Sequence, residues 1–284
     1  MEKVNNQYRI ALFILDSALS NAAVSRFIKL HTDAVRLVIV SNPFRKHGGG
    51  GSKNLLQLVR HSGIRFSWFL AYSFLFFPLL LQANYLLCRI FGRTSNFIPI
   101  KQHCQRYAIA CHRKHDVNDG QTIRLLHELD IDLIITCFFD QIIGDEIIRI
   151  PHKACVNVHP GLLPECRGVF PEIHTAAGKC ADFGITIHTI DNATIDTGRV
   201  LLKRNISMSG RYSMLATGRR LLAEGLAAVE EVLADVSGSL EKSMEQGAGN
   251  YFSYPSKADI RDLNRQGYVL MTMKDITSDI SRTL

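Results

Sequence analysis

Asn157, His159 and Asp196 are the residues whose types and positions are best suited to chemistry. Asn157 and His159 are two positions apart in an apolar run that Pro160 ends, so their side chains point to the same side of a predicted strand. Asp196 follows 37 positions after His159, in a predicted loop. A carboxylate beside an imidazole orients the ring and favours its charged form. Each residue alone could be an ordinary turn or strand-end residue, but together they predict donors that stabilise a negatively charged oxygen.

The elements that position these residues follow an alternating pattern. Short runs rich in Val and Ile alternate with segments of helical period, which is typical of a Rossmann-like α/β fold with a mainly parallel twisted sheet and helices on both faces. The predicted strands are Arg9–Leu15, Ala34–Val40, Tyr107–Cys111, Leu133–Phe138, Cys155–His159, Ile185–Ile190 and Val200–Ile206. The predicted helices are Ser17–His31, Asp119–Leu129, Phe170–Ala177, with His174 expected at the surface, and Tyr212–Asp235. Ligands of such folds bind at the carboxyl edge of the sheet, where Asn157 and His159 are predicted to lie.

The composition is that of a folded protein with a sizeable core. The chain has 284 residues, 46% of them hydrophobic, and a formal net charge of +7, which fits a generally basic surface or an anionic partner. The seven cysteines include no Cys-x-x-Cys pair, so neither a disulfide framework nor a zinc site is predicted. The first apolar run ends at Asp16, too early for a signal peptide, and a cytoplasmic protein is expected. The run Gly48–Gly51 lacks the spacing of a P-loop and is predicted to be a flexible loop.

An uncharged apolar segment, Phe66–Cys88, interrupts the alternating pattern and is flanked by Arg65 and Arg89. Its length suits a membrane span, but a single span would place strands of one sheet on opposite sides of a bilayer, so we reject it. Pro78 lies in the middle and is expected to kink or divide a helix. The segment, in an insert at about 62–95, is therefore predicted to be a buried helical hairpin, a homodimer surface, or an interfacial helix at the inner face of the membrane.

Several further motifs follow one another in an order found in a known family. They are Asn157-Val-His159-Pro-Gly-Leu-Leu-Pro164, Arg167-Gly168 with Pro171, Gly184-Ile-Thr-Ile-His188 and Asp196-Thr-Gly198. This series resembles the signature of the folate-dependent formyltransferases, a family that includes glycinamide ribonucleotide, methionyl-tRNA and sugar-amine formyltransferases. The resemblance covers Ala108–Ser207, is weaker toward the N-terminus and is absent from Phe66–Cys88.

The resemblance implies a reaction, a co-substrate and a set of site residues. In the family the positions of Asn157, His159 and Asp196 are catalytic. The first two stabilise the oxyanion formed when an amine attacks a formyl carbon, and Asp196 keeps His159 charged and accepts the proton of the amine, directly or through a water. The implied formyl donor is 10-formyltetrahydrofolate, and no metal is expected. The residues expected to bind this cofactor are Asp140, Gln141, Ile142, Ile143, Asp191 and Asn192, and those expected to bind the amine substrate are Arg167, Gly168 and His188.

Departures from the family pattern bear on the acceptor amine. Leu15–Asn21 stands where glycinamide ribonucleotide formyltransferases have a glycine-rich phosphate loop, and the 78 residues after Ile206 are too few for the C-terminal barrel of methionyl-tRNA formyltransferases. We therefore expect a small-molecule amine, such as an amino-sugar nucleotide, and no nucleic-acid partner. The alternatives are a methionyl-tRNA or glycinamide ribonucleotide formyltransferase, a formyltetrahydrofolate hydrolase, and a non-catalytic membrane-associated protein. Residues 1–207 are predicted to form the α/β domain, and residues 208–284 a helix and tail that pack on it.

Overall fold

The computed structural model describes residues 8–42, 51–208 and 213–282. The predicted glycine loop, apart from Gly51, and the predicted helix start at Tyr212 lie outside these residues. The strands are β1 (Ile10–Ile14), β2 (Val35–Ser41), β3 (Ala110–Lys114), β4 (Leu133–Cys137), β5 (Ala154–His159), β6 (Arg167–Gly168), β7 (Gly184–Thr189), β8 (Val200–Asn205) and β9 (Tyr251–Phe252). The helices are α1 (Asn21–Leu30), α2 (Gly51–Ser62), α3 (Ile64–Ala71), α4 (Phe77–Ile90), α5 (Ile100–Arg106), α6 (Gly120–Glu128), α7 (Asp145–Ile148), α8 (Pro171–Ala176), α9 (Met214–Ala234), α10 (Val236–Glu241), α11 (Lys257–Arg265) and α12 (Met273–Ser281).

Seven of the strands form one sheet in the order β3-β2-β1-β4-β5-β7-β8. The first five in this order are parallel, whereas β7 is antiparallel to both β5 and β8. Every residue of β1 and β4 is buried, because the central strands of such a sheet are covered on both faces. The predicted Rossmann-like, mainly parallel fold is confirmed, and β5, which carries two of the predicted site residues, lies between β4 and β7.

Two elements differ from their predicted bounds by three or more residues at an end. The strand predicted at Tyr107–Cys111 begins at Ala110, because the chain turns at Ala108, where φ is 55°. This strand lies at the edge of the sheet and has polar and charged residues, so apolar periodicity locates it poorly. Helix α1 begins at Asn21 rather than Ser17, because the residues between them form a turn.

Helix α9 covers the sheet beside β5. Its predicted apolar stripe is buried at all six positions, which are Leu215, Leu221, Leu222, Leu226, Val229 and Val232. Gly225 allows the helix to approach the strand closely, since a Cβ at this position would lie 2.5 Å from Cγ1 of Val158. Because side chains alternate along a strand, contact of Val158 with α9 leaves Asn157 and His159 on the other face of β5.

The apolar segment forms a continuous helical rod, Ile64–Ile90, which we call the insert helix. It consists of α3, a π-helical turn at Tyr72–Phe76, and α4, so the predicted hairpin is wrong. Pro78 follows the π-helical turn, and the wider turn accommodates a residue that lacks an N–H and crowds the carbonyl of the preceding turn.

By its length of 27 residues and mean hydropathy of 1.6 the insert helix could cross a membrane. One side of it, however, packs on the domain along most of its length, through Phe66, Phe69, Ser73, Phe77, Leu81 and Asn84.

A buried carboxylate ties the insert helix to the C-terminal part of the chain. Asp279 in α12 is fully buried, and its Oδ2 accepts hydrogen bonds from the Tyr72 hydroxyl at 2.6 Å and from Arg219 in α9 at 2.6 Å. Burial and the adjacent Asp279 raise the pKa of the Tyr72 hydroxyl, which therefore keeps its proton as a donor. The C-terminal helices thus hold the insert helix against the domain.

Removal of this carboxylate is expected to destabilise the fold. Asp279→Ala leaves the guanidinium of Arg219 partly buried without its partner, so we expect the free energy of unfolding to fall by about 3–5 kcal/mol. Urea denaturation followed by circular dichroism measures this change. As a control, Asp262→Ala removes a more exposed ion pair with Arg265 and is expected to have a small effect. Equal losses in the two variants would contradict an anchoring role for Asp279.

Candidate active site

Asn157 lies near the carboxyl end of β5, where its amide is fixed from both sides. The Thr136 hydroxyl of β4 donates a hydrogen bond to Oδ1 of Asn157 at 2.6 Å. The amide nitrogen therefore faces the other way, where Nδ2 lies 3.0 Å from Nε2 of His188 and 3.3 Å from Oδ1 of Asp196. Thr136 thus sets the orientation in which Asn157 presents its N–H groups.

His159 occupies the last position of β5 and is almost fully buried. Its Nε2 lies 2.8 Å from the backbone carbonyl of Cys166, and because a carbonyl only accepts, Nε2 carries a proton. Nδ1 faces Oδ2 of Asp196 at 3.5 Å, beyond direct hydrogen-bond distance. Burial lowers the pKa of His159 and outweighs the opposing effect of Asp196. Burial and the carboxylate thus act in opposite directions on the charge of His159, and the prediction that Asp196 keeps the ring charged stays a prediction.

Asp196 is the residue on which the site converges. Its Oδ2 accepts a hydrogen bond from the backbone N–H of Gly168 at 2.8 Å, and its Oδ1 lies 3.4 Å from Nε2 of His188. Burial opposes ionisation, but the contacts with His159, His188 and Gly168 outweigh it and hold the pKa of Asp196 well below its usual range. The backbone of Asp196 is left-handed, with φ of 54°, a conformation that is uncommon for a residue with a side chain. The surrounding contacts therefore hold a charged carboxylate in a specific and unusual conformation.

His188 belongs to the same cluster. It is paired with Asn157 across the antiparallel strands β5 and β7, and only 2% of it is exposed. Its Nδ1 lies 2.8 Å from the backbone carbonyl of Thr189, so Nδ1 carries a proton and Nε2 can accept from the amide of Asn157. In this structure His188 contacts Asn157 and Asp196, and its predicted role in binding the substrate stays a prediction.

The lowered pKa of His159 predicts that acid destabilises the folded state. Below about pH 6.5, the ordinary histidine pKa, the unfolded chain binds a proton at His159 that the folded chain excludes, so stability falls as pH falls. Asp196, whose pKa is also depressed, acts in the same direction at lower pH. We expect the urea unfolding free energy to fall between about pH 7.5 and about pH 5.5, and His159→Asn to reduce this fall. The assignment would be contradicted if the unfolding free energy of His159→Asn fell with pH as much as that of the unaltered protein. The control His127→Asn, at an exposed site, is expected to show the same fall as the unaltered protein.

The loop after β4, one of the two expected borders of the cofactor site, is held by contacts within the chain. Oε1 of Gln141 accepts a hydrogen bond from the N–H of Val117 at 2.8 Å, and Ile143 is buried in the core. Asp140 and Ile142 are exposed. The side chains of Gln141 and Ile143 therefore stabilise this loop. The exposed residues Asp140 and Ile142 and the main chain of the loop stay predicted cofactor contacts.

The loop between β7 and β8 forms the other expected border. Asp191 accepts a hydrogen bond from the Thr189 hydroxyl at 2.6 Å, and Asn192 accepts one from the N–H of Thr194 at 2.7 Å. β4 is parallel and β7 antiparallel to β5, so the loop after β4 begins at the carboxyl end of β5 and the loop after β7 begins at its amino end, from which Asp196 reaches the Asn157 amide. A ligand held between these loops would lie beside the Asn157 amide.

The C-terminal segment completes the site through the parallel pair β6 and β9. Gly168 has a φ of 106°, and a Cβ there would collide with the backbone carbonyl of Phe252, so this position requires glycine. Its contribution is the N–H that binds Asp196. The guanidinium of Arg167 donates a hydrogen bond to Oε1 of Gln246 at 3.0 Å, and its predicted contact with the substrate stays a prediction. Arg167 therefore positions the C-terminal segment.

Several features around the site escaped the sequence predictions. A threonine inside an apolar strand gives no signal by itself, so Thr136 was missed, and Cys166 acts on His159 through its carbonyl, which no side-chain motif reveals. Cys166 is also bridged to Cys180, which corrects the prediction of no disulfide, because pairing depends on proximity in the fold. His174, expected at the surface, is buried, with Nε2 2.9 Å from the carbonyl of Ser253.

The assembled groups can stabilise an oxyanion and accept a proton. The Asn157 amide is a donor whose two N–H groups face His188 and Asp196, and Nδ1 of His159 faces the carboxylate of Asp196. A proton accepted by His159 would form an imidazolium next to Asp196, which stabilises it. Among residues 8–42, 51–208 and 213–282, no group of three or more His, Cys, Asp or Glu side chains is placed to hold a metal ion.

Comparison with known proteins connects this geometry to a family. The sheet order and the polar cluster at the end of β5 define a Rossmann-like α/β domain with a group-transfer site. Residues 89–233, about half of the chain, match the family described as formyl transferase. This protein therefore belongs to the formyl transferase family.

Individual relatives share part of the sequence or the fold. The methionyl-tRNA formyltransferase of Kosmotoga olearia is 31% identical over 144 residues, which cover 48% of this chain and 46% of the relative, so the chain spans about half the length of the curated relatives it matches. The phosphoribosylglycinamide formyltransferase of Streptococcus pneumoniae superimposes with a TM-score of 0.53 at 14% identity, covering 81% of this chain and 99% of that one. A sugar 3N-formyl transferase, solved in the presence of dTDP and 5-N-formyl-THF, superimposes with a TM-score of 0.52 at 13% identity, covering 94% and 84%. The two structures show that the fold is shared.

Proposed function

We propose that this protein is an N-formyltransferase that moves the formyl group of 10-formyltetrahydrofolate to an amine. The observation that carries the proposal is the convergence of Asn157, His159 and Asp196 at the carboxyl end of β5. Family membership and the sugar formyl transferase structure with 5-N-formyl-THF support a folate donor. In this proposal the donor lies between the loops that follow β4 and β7.

The geometry suggests how each group would act. The amine nitrogen attacks the formyl carbon and forms the new C–N bond, while one N–H of the Asn157 amide exchanges its present partner, His188 or Asp196, for the charged formyl oxygen and stabilises it. Nδ1 of His159 takes the proton from the nitrogen, directly or through a water, and Asp196 stabilises the imidazolium. The tetrahedral centre then collapses, the bond to the folate nitrogen breaks, and that nitrogen receives the proton from His159.

The turn after β1 argues for an acceptor other than glycinamide ribonucleotide. The backbone N–H of Ala18 donates to the carbonyl of Ser73 in the insert helix at 3.2 Å. The N–H groups of Leu19 and Ser20 face the hydroxyl of Ser17 at 3.2 and 3.3 Å. Because these groups already have partners, the turn does not offer them to a phosphate. We therefore propose a small amine, such as an amino-sugar nucleotide, as the acceptor.

A second acceptor has its own support. The sequence similarity to methionyl-tRNA formyltransferases favours the amino group of a charged tRNA. Water could also replace the amine in the same site, which would make the protein a formyltetrahydrofolate hydrolase. All of these reactions fit a location in the cytoplasm, with contact at the inner face of the membrane or with a second copy of the chain through the insert helix.

The test is to incubate the full chain with 10-formyltetrahydrofolate and a panel of amino-sugar nucleotides, simple amines and methionyl-tRNA. Release of tetrahydrofolate and the mass of each acceptor are followed together. We expect a mass gain of one formyl group on one acceptor class, and loss of this activity in Asn157→Ala and His159→Ala. Folate release without any formylated acceptor would identify a hydrolase instead.

The catalytic role proposed for Asn157, His159 and Asp196 can only be tested with variants that keep the fold. Asn157→Ala and His159→Ala are compared with Asn264→Ala, whose amide bonds a carbonyl within α11, far along the chain from the cluster. Circular dichroism verifies that all three are folded. If neither transfer nor hydrolysis occurs, or if the two site variants are as active as Asn264→Ala, the proposed function is wrong.

A further inference from the structure

The insert helix exposes a continuous apolar stripe on the side opposite its buried face. Half of the exposed large apolar side chains among the described residues lie within 64–91. The stripe consists of residues spaced alternately by four and seven positions, which places them along one side of a helix: Ile64, Trp68, Leu75, Leu79, Leu86 and Ile90. Trp68 is 58% exposed, Leu79 59% and Ile90 74%. A contiguous apolar surface of this kind marks a site of interaction.

The charge of the surrounding sequence indicates what covers this stripe. Residues 34–115 contain 12 Lys and Arg and no Asp or Glu. The rest of the chain has 21 Lys and Arg against 26 Asp and Glu, a net charge of −5. The whole positive excess therefore lies in the part of the chain that contains the insert helix. Among the described side chains, exposed arginines flank the stripe at both ends, at Arg60, Arg65, Arg89 and Arg93.

Apolar residues between basic residues match an anionic lipid surface. Trp, Leu and Ile side chains enter the boundary between headgroups and acyl chains, while arginines contact anionic headgroups. A second copy of this chain would instead bring the arginines that flank two such stripes close together, where they repel each other. The charge pattern therefore favours a bilayer over a homodimer.

The packing of the insert helix determines how it would meet a bilayer. Its buried side contacts the domain from Phe66 to Asn84, and Tyr72 is bonded to the buried Asp279. A spanning orientation would break these contacts, whereas a helix lying parallel to the membrane plane keeps them. A helix that buries one apolar side in protein and offers the other to lipid lies in the interface.

We propose that the stripe of the insert helix docks this protein on an anionic lipid bilayer, with the helix parallel to the membrane plane. This interaction goes beyond the proposed formyl transfer and does not depend on it. The helix also packs on residues adjoining the candidate site: the Phe66 ring lies 5.4 Å from that of Phe170, and Phe74 stacks on Phe138 at 6.4 Å. A docked protein therefore holds its site close to the bilayer surface.

The test is flotation of the full chain with vesicles of phosphatidylcholine containing phosphatidylglycerol, and with vesicles of phosphatidylcholine alone. We expect binding to the anionic vesicles and weaker binding when salt is raised, since salt screens headgroup contacts. The triple variant Trp68→Ser, Leu79→Ser, Ile90→Ser is expected to weaken vesicle affinity by about 100-fold, because it removes three large apolar groups. The triple variant Arg65→Gln, Arg89→Gln, Arg93→Gln is expected to lose the preference for anionic vesicles.

The matched control is the double variant Met244→Ser, Met273→Ser, which replaces apolar residues that are 64% and 71% exposed outside the insert helix. It is expected to bind vesicles like the unaltered protein, and circular dichroism verifies that every variant is folded. Absence of vesicle binding, or equal loss in the stripe variant and the control, would overturn the proposal. So would light scattering that shows a dimer which the stripe substitutions convert to a monomer, because the stripe would then be covered by a second copy.

Discussion

Asp196→Asn is expected to lower kcat for formyl transfer by about 100- to 10,000-fold while leaving the protein folded. Asp196 meets four groups, the Nδ1 of His159, the Nε2 of His188, the Nδ2 of Asn157 and the N–H of Gly168. Asparagine has a similar shape and tolerates the left-handed backbone found at this position, so the loop conformation is retained. What is lost is the negative charge that stabilises the imidazolium formed when His159 accepts a proton.

This result is measured as kcat for tetrahydrofolate release with a saturating acceptor, alongside the thermal midpoint of unfolding. Asp145→Asn is a suitable control, because Asp145 is an exposed carboxylate in α7 that pairs with Arg149. We expect the control to retain activity. An Asp196→Asn enzyme with an undiminished kcat would show that the carboxylate charge does not assist proton transfer.

Gly168→Ala is expected to damage both stability and catalysis, with kcat reduced by at least about 100-fold. A Cβ at this position meets the carbonyl oxygen of Phe252, and φ is 106°. The pairing of β6 with β9 must therefore shift, and this moves the N–H that holds Asp196. The substitution changes no group that reacts, so the effect would come entirely from positioning.

The control Gly178→Ala introduces backbone strain without the steric clash that a Cβ at Gly168 would cause. Gly178 also has a positive φ, of 79°, but the nearest atom to an added Cβ is 3.8 Å away. We expect Gly178→Ala to lower stability by about 1 kcal/mol and to leave kcat nearly unchanged. Comparable activity in the two variants would contradict the role given to the Gly168 N–H.

Much of this architecture is determined by local sequence pattern. β1, β4 and β5 are predictable because their residues are nearly all apolar and buried, and the two-residue spacing of Asn157 and His159 places both on one face of β5. The long α9 is predictable from its apolar stripe. These features depend on neighbours in sequence, which a reader of the chain can see.

Other parts of the site depend on contacts between distant residues. The pairing of His188 with Asn157 requires the register of an antiparallel strand, and the contact of Gly168 with Asp196 requires β6 to pair with β9. The charge state of His159 could not be foreseen either, because it depends on burial, which lowers its pKa, as well as on the nearby carboxylate. Sequence thus predicted that Asn157, His159 and Asp196 meet, and left their other partners, their protonation and their positioning to the fold.

The hydrogen bond from the N–H of Ala18 to the carbonyl of Ser73 links the insert helix to the turn after β1. The insert helix supplies the apolar stripe, and the same segment takes up a main-chain donor just before α1. A helix N-terminus freed of such a partner attracts anions. Deletion of the insert would therefore do more than remove a surface, since it would also leave the N–H of Ala18 without its present acceptor. The segment that carries the apolar stripe thus also helps to close the turn after β1 to anions.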